Sequence, residues 1–165
     1  MLETKEYEET LDSFYDYLFG VVKLHREMIP KLKDELMLIQ SNSVEELNNN
    51  LNHQQIFLYQ IKNFDQEVAE YMKKLKVDGE RLSEVVLQFP ADKQMRFFEL
   101  LGQFSETAKE IAFYKEKCQT LLQTKLHTVN KSIAQYDLKS DKTTYKQDGK
   151  ESEKTKLINT FEKSI

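Results

Sequence analysis

Apolar residues recur at every seventh position along most of this 165-residue chain, and that period decides what the chain can fold into. Leu11, Leu18, Leu32 and Ile39 stand on one such row, interrupted by His25. Phe14, Val21 and Met28 form a second row, and Tyr15, Val22, Ile29 and Leu36 a third. Three adjoining rows make a stripe wider than a two-stranded coiled-coil seam, the pattern of a helix facing a core. A half-buried strand would need period two. Only four Gly and two Pro are available for turns, too few for a many-stranded fold or a phosphate-cradling loop. The expected class is all-α.

The period continues beyond the polar turn Ser41-Asn42-Ser43. Val44, Leu51, Leu58 and Met72 repeat by sevens, as do Leu47, Ile61, Val68 and Leu75, with Phe57, Phe64 and Tyr71 beside them. Gln54 and Asp65 fall at seam positions of these rows, where a polar group fixes register or leaves a face for a partner. Ser43 with Glu46 predicts a capping box, and Val77-Asp78-Gly79 predicts a stop near Lys76. Pro30 predicts a kink in the first helix rather than a break, because the apolar register passes through it.

A shorter amphipathic piece runs from Glu80 to Phe89 and stops at Pro90. Asp92 is then the expected cap of a third long helix, from about Lys93 to Tyr136. Its expected core rows include Phe97, Leu101, Phe104, Ala108, Ile111, Cys118, Leu122, Leu126, Val129 and Ile133. Such a helix would be ~65 Å long at ~1.5 Å per residue. The expected architecture is an elongated antiparallel bundle of three long helices plus a short one, over residues 1–136. Residues 137–150 hold two large apolar side chains, Leu138 and Tyr145, and read as the start of a flexible polar tail spanning 137–165. Within it Leu157, Ile158, Phe161 and Ile165 share one face of a short helix, too short to be stable alone in water.

Charge and motifs remove several functions. With 24 Lys+Arg against 28 Asp+Glu the net charge is −4, which offers no positive field to nucleic acid. Acidic residues near the start and the lack of a long apolar run predict a cytoplasmic protein without membrane insertion. The single cysteine, Cys118, reads as a small core residue. His25, His53 and His127 lie on different helices with no partner at metal-ligand spacing, and His25 reads as a partly buried core residue. Phe97, Phe98, Phe104 and Phe113 read as core, and Lys73-Lys74-Leu75-Lys76 as a solvated helix end. No catalytic, cofactor-binding or metal residue is assigned, no cofactor is expected, and an enzyme is not the expected class.

Three stretches resemble the FlgN family of flagellar export chaperones. The first is the leucine-rich helix LDSFYDYLFGVVKLHREMIPKLKDELMLI, which gives way at a polar turn. The second is Ser43-Val44-Glu45-Glu46-Leu47 followed by Gln54-Gln55, similar to the start of the family's second helix. The third is YKEKCQTLL, Tyr114 to Leu122, which aligns with a family stretch Leu-Asn-x-x-Asn-x-x-Leu-Ile. Here Lys115 and Cys118 replace the two Asn, so no residue role is carried over from that stretch. The resemblance implies a cytoplasmic chaperone that binds a hook-associated (hook–filament junction) protein and delivers it to the flagellar type III export apparatus. It places the client at the C-terminal part. The expected client-binding residues are therefore Leu122, Leu126, Val129 and Ile133 of the third helix and Leu157, Ile158, Phe161 and Ile165 of the tail. The expected partners are the client and export apparatus components, with a possible homodimer. The alternative is a self-associating coiled-coil scaffold, in which the heptad rows pair with a second copy.

Overall fold

The computed structural model describes residues 2–139, which form helices and the turns between them, with no strand among the described residues. The helices are α1 (Leu2–Ser41), α2 (Val44–Ile61), α3 (Phe64–Leu75), α4 (Leu82–Val86) and α5 (Ala91–Lys139). The chain divides into two compact units, Met1–Leu126 and His127–Ile165. Of the second, the described residues are the last turns of α5. The tail-helix residues Leu157, Ile158, Phe161 and Ile165 lie outside the described residues.

In the first unit the path is up, down, up. Antiparallel packing of α2 and α3 on α1 is fixed by Asn50 bonding the Lys31 carbonyl at one end and by Phe14 stacking on Tyr71 at the other. α5 then runs parallel to α1, from Phe97 against Phe14 to Cys118 against the Leu32 carbonyl. The three rows of α1 read from sequence are buried or half-buried. Leu11, Leu18, Leu32 and Ile39, with Phe14, Val21 and Met28, are all buried, and His25 is half-buried between Phe57 and Phe104.

Several local expectations are corrected. The second long helix is two helices, broken at Lys62-Asn63, where the Lys62 N–H turns back to the Tyr59 carbonyl. Ser43 makes no capping hydrogen bond; its hydroxyl pairs with that of Ser41 at 3.0 Å. The polar turn is instead a Schellman closure of α1, with Asn42 left-handed (φ 57°) and the Ser43 N–H reaching the Leu38 carbonyl. Lys76 (φ 55°), not Gly79, supplies the left-handed residue that ends α3. Gly79 is small for another reason, since a Cβ there would sit 3.2 Å from that of Glu84. α1 continues through Pro30, which is exposed, so the carbonyl it cannot bond lies toward water. Asp92 lies in the first turn of α5, not at its cap. On α5 Thr107 is buried where Ala108 was expected, and Phe98 and Phe113 are exposed rather than core.

The core is uneven along the bundle. Its contiguous apolar cluster joins Leu11, Phe14, Leu18 and Val22 to Val68, Leu75, Val85, Val86, Phe89, Phe97 and Leu100. All of these belong to the end where α3, α4 and the start of α5 meet the first half of α1. The other end carries buried polar groups, Glu35, Asn50, Gln54 and Thr107, among Met28, Leu32, Ile39 and Cys118.

Candidate functional site

The expected helical binding face lies on α5. Leu122 is half-buried, while Leu126, Val129 and Ile133 are 47%, 53% and 54% exposed. Tyr136 continues the alternating four- and three-residue spacing and is also exposed. Every described residue from Leu126 to Lys139 is exposed, so this narrow apolar stripe has no cover among the described residues. Such spacing presents two rows to a single helix, the geometry by which an amphipathic helix is held.

Just before the stripe, Lys125 ties α5 to the end of α1. The last turn of α1 contains no basic residue, and its final carbonyls need donors. The half-buried Lys125 ammonium donates to the carbonyls of Ile39 and Gln40 and to Asn42 Oδ1, the latter two at 3.1 and 2.6 Å. A cation at a helix C-terminus is favourable for the dipole as well. Lys125→Met is expected to cost about 1–2 kcal/mol, measured by denaturant unfolding. Hydrogen exchange should quicken at residues 38–43 and leave residues 11–18 unchanged.

Beside this clasp, in the first unit, α1 and α5 leave a shallow cleft whose lining includes Leu36, Gln40, Phe113, Glu116, Lys117 and Leu121. Sequence reasoning placed Phe113 in the core and did not single out Leu121. Phe113 instead stands half-exposed with the Lys117 ammonium 4.7 Å from its ring centre.

A polar layer crosses the bundle between Glu35 and Gln54. Gln54 Nε2 donates to Glu35 Oε2 at 2.6 Å and to Asn50 Oδ1 at 2.8 Å, and Asn50 Nδ2 donates to the Lys31 carbonyl at 2.9 Å. Burial raises the Glu35 carboxyl above its ordinary value, opposed by the Gln54 hydrogen bond and the Lys115 charge. Burial likewise lowers the Lys115 ammonium, with Glu35 opposing. The Cys118 thiol is pushed up to about 12 by burial and by Glu35, which leaves it a poor nucleophile in the closed bundle. Among the described residues no group of His, Cys, Asp or Glu could hold a metal ion. No described helix is long and apolar enough to cross a membrane.

Among the described residues this arrangement offers exposed apolar positions on α5, of the kind a protein-binding module presents. The family model described as FlgN protein matches residues 10–153. The chain belongs to the FlgN family. It is thus a member of a family of flagellar export chaperones, and the match runs from within α1 through α5 and into the polar segment after it. Comparison with curated proteins and with solved structures gave no match in either case. The FlgN assignment rests on the family model and on the helical fold together.

Proposed function

We propose that this FlgN-family protein holds a hook-associated (hook–filament junction) protein in the bacterial cytoplasm and hands it to the flagellar export apparatus. The observation that carries the reading is the stripe Leu126, Val129 and Ile133, continuing from Leu122 and exposed among the described residues, on a chain of this family. An exported subunit must keep an aggregation-prone amphipathic segment covered until it leaves the cell, and a heptad-spaced stripe fits one such helix. On this reading residues 1–136 are the supporting bundle and 137–165 the client-binding tail, with Leu157, Ile158, Phe161 and Ile165 as the second contact surface.

The test is a calorimetric titration of the full chain with a purified hook–filament junction protein, with light scattering on the free chain and on the mixture. A saturable 1:1 or 2:2 complex is expected, together with hydrophobic-dye binding by the free chain that the client suppresses. A defined homo-oligomer that binds no dye and no junction protein would instead favour the scaffold reading.

A further inference from the structure

α2 is held to the bundle in an unusual way. The residues it buries are Asn50 and Gln54, both polar, whereas its neighbour α3 buries Val68 and Leu75. The apolar residues of α2 are half-buried (Leu47, Leu51, Phe57, Leu58, Ile61) or exposed (Val44, Ile56, Tyr59). A polar contact that exchanges protein partners for water contributes about 1 kcal/mol net, well below a fully buried leucine. α2 is also bounded by two backbone breaks. The left-handed Asn42 precedes it, and the Lys62-Asn63 interruption separates it from α3. Because the contiguous apolar cluster includes residues of α1, α3, α4 and α5 but none of α2, its loss would leave that cluster intact.

We propose that α2 is a displaceable segment, hinged at Lys62-Asn63, which leaves α1 while the aromatic end of the bundle stays folded. Its release uncovers the level of Leu32 and Cys118. Segments with few buried apolar contacts open at lower free energy than the whole domain, and moving elements in binding proteins come from that class. The Glu35–Gln54–Asn50 layer fixes where α2 returns, because only one register pairs all three side chains. This inference concerns the free chain and stands whether or not the client is a hook-associated protein.

The chain carries its own probe. Cys118 is the single cysteine; it is buried, and its thiol donates to the Leu32 carbonyl at 3.7 Å, level with the α2 layer. On the full chain, reaction of Cys118 with a thiol reagent should proceed at least about 10-fold faster than global unfolding allows. Its denaturant dependence should be weak, since opening α2 exposes little of the surface that complete unfolding does. Replacing the layer by Glu35→Leu, Asn50→Leu and Gln54→Leu together should slow labelling about 10-fold or more, as packed apolar residues in place of buried polar ones strengthen such sites. Native-state hydrogen exchange on the unaltered chain gives a second measurement, should the triple variant fail to fold. Amides of 47–61 should then exchange through a subglobal opening, and those of 68–75 and 97–104 only through global unfolding. Labelling of the unaltered chain only at the global rate with the full denaturant dependence, or one common exchange free energy for α2 and α3, would overturn the proposal.

Discussion

Phe97→Ala lowers the stability of the bundle by about 3–5 kcal/mol, the cost of removing a buried aromatic ring and leaving its cavity. Phe97 is fully buried, and its ring lies 5.9 Å from that of Phe14, 5.4 Å from Tyr15 and 4.9 Å from Phe89. It therefore joins α1, α5 and the turn after α4, as Phe14 does from the α1 side. Native domains are stable by only about 5–15 kcal/mol, so this one ring carries a large share of the total. At about 2–4 °C per kcal/mol for a chain of this size, melting should fall by roughly 6–20 °C. Phe113→Ala is the control, because that ring is half-exposed over the cleft and should cost less than about 1 kcal/mol. Circular dichroism melting of both variants checks the pair. Equal losses would mean that the apolar cluster is not where the stability resides.

The rods were legible in the sequence because period seven survives every local irregularity. A one-row shift would have exposed Leu11, Leu18 and Leu32 together, so burial enforces the register that the spacing announces. The polar layer was half legible. Gln54 stood out among apolar neighbours, but its partners hide on rows of their own. Glu35 is the next member of the row Phe14, Val21, Met28, and Asn50 precedes Phe57, Phe64 and Tyr71 at the same spacing. Extending those rows by one step would have found both. What no row could show is which caps win. Ser43 lost its hydroxyl to Ser41, and Lys76 took a left-handed conformation that glycine would take at lower cost, because the main chain there closes on Met72. The break at Lys62-Asn63 was hidden for the same reason, since the rows Ile61–Val68 and Phe57–Phe64–Tyr71 run through it and only the backbone departs. The α5 stripe was placed on its helix from spacing alone. Its exposure was not legible, because period seven reads the same whether a partner is present or not.

Removing residues 140–165 should weaken client binding about 100-fold or more, while the melting of the remaining chain stays within about 1 °C. The bundle side of this expectation follows from the core, whose contiguous cluster among the described residues reaches along α5 to Leu100, with Leu101 and Phe104 packed against it. The binding side follows from area. Leu157, Ile158, Phe161 and Ile165 are four large apolar residues whose sequence spacing fits one helical face, each contributing about 1.5–3 kcal/mol on full burial. Ordering the segment on a partner offsets part of that gain, at about 2–5 kcal/mol for coupled folding and binding. At the lower burial value, about 6 kcal/mol for the four, an ordering cost of about 3 kcal/mol leaves about 3 kcal/mol, roughly two orders of magnitude in Kd. The companion variant Leu126→Asp, Val129→Asp, Ile133→Asp should also lose binding without a change in melting, because those side chains are already half in water. Calorimetry against the junction protein and a thermal scan of each variant decide the matter. A truncated chain that melts early makes the tail part of the core, and one that binds at full strength confines the client to α5.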